Sequence, residues 1–179
     1  MAYWQEIERC AGTLVRALHD YWSDKRAGRI MPARADIEPA EIKHLLPNLV
    51  IADLTTEPFR VRYRLLGTKV VAESGNDFTG RYLDEMVAAD VEDQWETCYR
   101  LVWTEQRPIF GDTTVPTVDG GTFTYEFGIF PLGGDGAAVT QCIAVEDYGW
   151  LNDRLFELQD KAQPWQPKGM TPRKDERKT

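Results

Sequence analysis

Histidine is nearly missing from this chain: His19 and His44 are the only two in 179 residues. Each stands far from any cysteine or carboxylate at metal-ligand spacing, so both read as structural side chains and no metal site is expected. Serine is equally scarce. Ser23 and Ser74 are the whole set, and neither stands in the Gly-x-Ser-x-Gly turn of a hydrolase. Cys10, Cys98 and Cys142 are odd in number, scattered, and form no Cys-x-x-Cys pair. That excludes a disulfide framework and a zinc ribbon, and it suits a reducing, cytoplasmic setting. No run approaches the ~20 apolar residues that span a bilayer. The opening MAYWQEIERC lacks the basic patch and apolar stretch of a secretory signal, so none is expected. Adjacent acids occur at Asp84-Glu85 and Glu92-Asp93. Neighbours on a helix point about 100° apart and do not converge on one atom. No catalytic residue emerges.

Apolar residues are present in quantity, at 42%, enough for a real core in a domain of this length. The net charge of −8 is uneven. Residues 161–179 hold six basic side chains against Asp175 and Glu176, which leaves −12 on the rest. An acidic body repels phosphate backbones, so nucleic acid is not an expected partner. The basic tail, with Pro164, Pro167 and Pro172 and little that is apolar, reads as a disordered end.

Periodicity supplies the elements. Ile7, Ala11, Leu14 and Leu18 recur at helical spacing, with Val15 and Trp22 beside them, and predict an amphipathic helix ended by Gly28. A second helix is predicted from Pro39 to Pro47. Strands follow at 48–54 and 59–65. In the second, Phe59, Val61, Tyr63 and Leu65 alternate with Arg60, Arg62 and Arg64. Thr68 opens a short helix closed by Gly75, another helical turn falls at 82–86, and a longer helix runs from about Val91 to Gln106. Strands at 109–115, 122–130 and 138–145 are separated by glycine-rich turns and predict a meander. Residues 151–161 read as a terminal helix. The organisation is then a helix in 1–30, a central domain in 31–150, and a helix and tail in 151–179.

Two strands, a helical insert and three more strands make an α+β fold: one antiparallel sheet whose covered face meets the insert. Tyr63, Leu65, Val70, Phe78, Tyr99, Val102, Phe127, Ile129, Ile143 and Val145 are expected to face inward between sheet and helices. They either fill a dry core or line a small-molecule pocket, with Tyr63 and Tyr99 as polar anchors.

The chain resembles the PAS family, in particular short stand-alone bacterial members. The likeness rests on Tyr21-Trp22, Met31-Pro32-Ala33-Arg34, Asp36-Ile37 with Pro39, and Leu46-Pro47-Asn48-Leu49. It continues in the run from Arg62 to Thr68 and in Gly75-Asn76-Asp77-Phe78-Thr79-Gly80-Arg81. These pieces span about residues 21–147. The resemblance implies a five-stranded sheet of order 2-1-5-4-3 and a role in signal perception or protein contact. The N-terminal helix resembles the family's dimerising helix, and its seam of Ile7, Ala11, Leu14 and Leu18 is expected either to pack on the protein's own sheet or to pair with a second copy. A protein partner, a homodimer or a small-molecule ligand would then be the binding partner.

No cofactor is assigned. Photosensory relatives carry a flavin-reactive cysteine in a Gly-x-Asn-Cys stretch, and residues 75–80 contain none, so covalent flavin chemistry lacks its thiol; noncovalent flavin remains open. Residues 80–110 contain no histidine for haem, leaving Cys98 or Met86 as ligands in principle. The competing class is a small cone-shaped α+β enzyme that uses Asp112 or Glu126 with Tyr125 to shuttle a proton. Such enzymes gather their helices before the strands, whereas here three strands follow the helical insert. A non-enzymatic sensory module is therefore the expectation. Arg60, Arg62 and Arg64 read as a salt-bridged sheet face rather than a nucleic-acid surface.

Overall fold

The computed structural model describes residues 1–86, 89–116, 121–133 and 138–149. The elements are β1 (Ala2–Trp4), α1 (Thr13–Arg26), β2 (Leu49–Thr56), β3 (Phe59–Leu66), α2 (Thr68–Ser74), α3 (Ala89–Glu105), β4 (Ile109–Pro116), β5 (Thr122–Gly133) and β6 (Val139–Asp147). Among the described residues these strands form one antiparallel sheet in the order β1-β4-β5-β6-β2-β3. The insert α2–α3 joins its two halves. The class is α+β, as the element order predicts, with one strand more than the five expected. That strand is β1, which pairs Ala2 with Asp112 and Trp4 with Phe110. Three residues are too few for an alternating pattern to declare itself.

Two helix expectations need correction. The predicted helix from Pro39 is a series of isolated turns. Its bonds run from Ile42 N–H to Pro39 O and from Leu45 N–H to Ile42 O, three residues apart, which tucks Ile42 and Leu45 into the core without helical propagation. The first helix begins at Thr13, not Ile7. Its start is fixed from outside. The Glu126 carboxylate accepts from Ala11 N–H (3.1 Å) and Gly12 N–H (2.6 Å), and Asp147 accepts from Leu14 N–H (2.9 Å). Two strand carboxylates thus satisfy the orphan donors of the helix start and complement its dipole.

Ile7 and Ala11 therefore lie before α1, in a 3₁₀ turn and in the connection that follows it. Leu18 is fully buried with Val15 and Trp22 against the protein's own sheet. Trp22 donates its indole N–H to Pro131 O (2.8 Å), and its ring lies 6.0 Å from Phe130. Of the predicted seam, Leu18 packs on the protein's own sheet, Leu14 is half-buried against the core and Ala11 is exposed.

Antiparallel partners share a face of the sheet, so the register sorts every strand residue. Phe130, paired with Ile143, meets Trp22, so Ile143, Val145, Gly128 and Asp147 face α1. The opposite face carries Ala52, Val61, Tyr63, Phe127, Ile129, Cys142, Ala144 and Glu146. There α3 packs: Trp95 lies 4.8 Å from Phe127 and Trp103 lies 5.6 Å from Phe59.

α2 is held tightly at its start. Gly67 precedes it as N-cap and donates its N–H to Leu49 O (2.7 Å). A Cβ on Gly67 would stand 2.3 Å from Pro47 O and 2.5 Å from Leu46 O. Gly75, with φ of 72°, closes the helix as the sequence predicts.

Candidate functional site

The face beneath α2 and α3 holds the polar groups of interest. Glu146 sits near the end of β6, one step beyond Ala144 on the same face. Its carboxylate accepts from the Tyr148 hydroxyl at 2.5 Å, and the Tyr125 hydroxyl also acts on it as a donor. Tyr148 is fully buried, and Tyr125 lies edge-on to it at 5.0 Å. Glu73, from α2, is the second carboxylate, and its pKa is raised first by burial and then by the charge of Glu146. Burial likewise raises Glu146 well above the ordinary carboxylate range, against the lowering by its two tyrosine donors. No cation among the described residues acts on either carboxylate.

Tyr63 and Tyr99 complete the enclosure. Tyr99, on α3, is 2% exposed. Burial raises it well above the usual phenol range, and Tyr63, Cys142 and Glu146 add to the effect. Tyr63, half-buried on β3, is raised by burial and by Glu146. β3, α2, α3, β5 and the end of β6 thus bring two carboxylates and four phenols to the insert side of the sheet. Chemically it offers acceptors, π faces and room for a proton between two acids that resist ionising together. The backbone supports it: buried Asn48 donates its side-chain amide to Glu146 O (2.8 Å), tying the start of β2 to the end of β6.

The structure brings together most of the sequence-predicted pocket. Tyr63, Tyr99, Val102, Phe127 and Ile129 lie on the insert side, Val70 is buried in α2, and Phe78 is half-buried in the loop after it. Three residues are corrected. Ile143 and Val145 point to the α1 face, because they pair with Phe130 and Gly128. Leu65 is 46% exposed. The β2–β3 register shifts between Ile51 and Ala52, so Tyr63 pairs with Ala52 but Leu65 pairs with Ile51. One extra residue reverses the face. Sequence reasoning missed Glu73, Glu146 and Tyr148. A signal existed for Glu146: it continues the Cys142/Ala144 alternation of a buried strand.

The other candidates separate. Glu126 caps α1 and Tyr125 faces the insert, so they stand on opposite sides of β5 and do not converge, as the cone-type enzyme would require; Asp112 pairs with Glu126 on the α1 side. Arg60 grips Asp84 through two bonds (2.7 and 2.8 Å) with its guanidinium 3.7 Å over Tyr82, while Arg64 lies 3.6 Å from Asp53. Arg62 donates to Gly80 O. His19 sits between Phe110 and Phe130 on the α1 face. No group of three metal-ligating side chains occurs among the described residues. The three cysteines are free and buried, and burial pushes the Cys98 thiol up to about 12. No described helix is long and apolar enough to cross a membrane. The predicted helix at 151–161 and the basic tail lie outside the described residues.

A single antiparallel sheet split by a helical insert, with polar groups enclosed beneath that insert, is the architecture of a sensory signalling module. The family description of a PAS domain matches residues 11–144, and the chain belongs to that family. No curated protein matches it. Among solved structures it is similar to an RNA-binding light-oxygen-voltage receptor, at 17% identity over 73% of this chain and 38% of that one, with a TM-score of 0.44. It therefore spans little more than a third of that receptor. The PAS domain of Bordetella pertussis BvgS is similar at 17% identity over 69% of this chain and 94% of that one, with a TM-score of 0.47. The LOV protein of Rhodobacter sphaeroides is similar at 12% identity over 68% of this chain and 74% of that one, with a TM-score of 0.45. These likenesses are distant, and the assignment rests on the family match.

Proposed function

We propose that this PAS domain is a non-enzymatic sensor that takes its signal as a small molecule bound beneath α2 and α3. The change is then delivered to a protein partner or a second copy. One observation carries the reading: Tyr63, Tyr99 and Tyr125 lie on the insert side of the sheet with Glu146, whose carboxylate accepts from the buried Tyr148 hydroxyl. Tyr63, half-buried on an edge strand, stands where a ligand would enter.

Native mass spectrometry of the full chain, purified from two expression hosts, tests this. The expected result is a bound small molecule whose occupancy falls about threefold to tenfold in Tyr63→Phe and Tyr99→Phe, with folding intact. Protein from both hosts that carries no small molecule and acquires none from cell extract would defeat the reading.

A further inference from the structure

We infer that Asp147 is a two-sided latch, tying the start of α1 to the point where the chain leaves β6, so that movement of either flank is passed to the other. Its two carboxylate oxygens serve different parts of the chain. Oδ2 accepts from Leu14 N–H at 2.9 Å, in the first turn of α1, and Oδ1 accepts from Gly149 N–H at 3.0 Å, just past the end of β6. Leu14 lies 133 residues from Asp147 in the chain, so only the folded sheet brings both amides to one side chain. Asp147 is 4% exposed, which leaves water little access to replace either bond. The latch lies on the face of the sheet opposite Tyr63 and Glu146, and its action does not require a molecule beneath the insert.

Gly12 meets the latch from the helix side. Glu126 pairs with Asp147 across β5 and β6, so the two carboxylates stand side by side on the α1 face. They fill the space that a side chain at position 12 would need: a Cβ on Gly12 would stand 2.7 Å from Asp147 Oδ2 and 2.9 Å from Glu126 Oε2. The backbone there, with φ of −60°, suits any residue, so what the position lacks is room. The helix start therefore rests directly on the latch. A shift of α1 turns the Asp147 carboxylate, and turning one planar group moves both of its oxygens, so the bond to Gly149 is disturbed with the bond to Leu14. The effect runs both ways, because coupling between two sites is reciprocal. Adjacent strand residues face opposite sides, so Glu146 with Tyr148 belongs to the insert side while Asp147 belongs to α1. The end of β6 is thus in touch with both faces of the sheet at the point where the chain leaves it.

Amide shifts and hydrogen exchange of the full chain, read by nitrogen-15 NMR, test the latch. Gly12→Ala presses on the carboxylate from the helix side, and it is expected to shift the Gly149 amide and lower its protection about tenfold. Asp147→Ala should lower the protection of Leu14 and Gly149 together. Gly80→Ala, strained at φ of +87° with nothing within 4 Å, is the control for general destabilisation and should leave the shifts of both amides where they are. If Gly12→Ala does not fold, Asp147→Asn takes its place: one acceptor oxygen cannot serve two amides, so at least one of Leu14 and Gly149 should lose protection. Both amides keeping their protection in Asp147→Asn would overturn the latch. A folded Gly12→Ala whose Gly149 amide behaves as in the parent, whatever happens at Leu14, would overturn the coupling and reduce Asp147 to a helix cap.

Discussion

Gly67→Ala is expected to destabilise the protein by about 3 kcal/mol or more, read as a lower midpoint in urea at unchanged slope. The glycine is not there for its backbone angles. Its φ of −66° suits any residue. The requirement is space. The added methyl would fall 2.3 Å from Pro47 O and 2.5 Å from Leu46 O, and both are backbone atoms that cannot rotate away. Either the turn at Leu46–Asn48 or the start of α2 must move, and Gly67 N–H would lose its bond to Leu49 O. Because α2 carries Glu73, the same change should disturb the site. Gly80→Ala is the contrast. That position has φ of +87° and nothing within 4 Å, so its cost is backbone strain alone, about 1–2 kcal/mol. Equal stability of Gly67→Ala and the parent would show that α2 does not meet the turn as described.

The second large effect is on pH. Burial holds the Glu73 and Glu146 pKa values above the ordinary carboxylate range in the folded protein. In the unfolded chain both ionise near the model-peptide value of about 4.3. Above that pH the folded state binds more protons than the unfolded one, so stability falls as pH rises. The loss accumulates until the folded state releases its own protons and then levels off. The slope approaches about 1.4 kcal/mol per pH unit for each retained proton. The exposed acids Asp36, Glu41 and Glu85 are shifted downward by hydrogen bonds and ion pairs, so their contribution is lost only as pH falls. Maximum stability is therefore expected on the mildly acidic side of neutrality. Melting curves across pH 4.5–8 should show the decline, and Glu73→Gln should flatten it. A protein equally stable across that range would contradict an enclosed acid pair.

Much of the fold was legible because its signals are local. Phe59, Val61 and Tyr63 alternate with arginines and make an edge strand, Gly75 stops α2, and the glycine-rich turns delimit the last three strands. What failed depends on contacts far apart in the chain. The start of α1 is set by Glu126 and Asp147, more than a hundred residues away, so the helical spacing of Ile7 and Ala11 misleads. Leu65 continues a perfect alternation and still changes face, because β3 carries one extra residue, Arg64, between the partners of adjacent Ile51 and Ala52, and only pairing with β2 reveals it. The site was half legible. Inward aromatic positions follow from period two in the strands and from helical spacing in α3, which give Tyr63 and Tyr99 respectively. Glu73 and Glu146 were passed over because acids on helices and strand ends usually face water. Only the sheet register and the position of α2 bring them among tyrosines.

The most direct measurement is a titration of the glutamate side-chain carboxyls by carbon-13 NMR in the folded protein. The account predicts two resonances that titrate well above the ordinary glutamate range, one disappearing in Glu73→Gln and the other in Glu146→Gln. In each variant the surviving partner should titrate lower once its acidic neighbour is gone. If every glutamate titrates in the ordinary range, the acids beneath α2 are solvated and the proposed binding site does not exist.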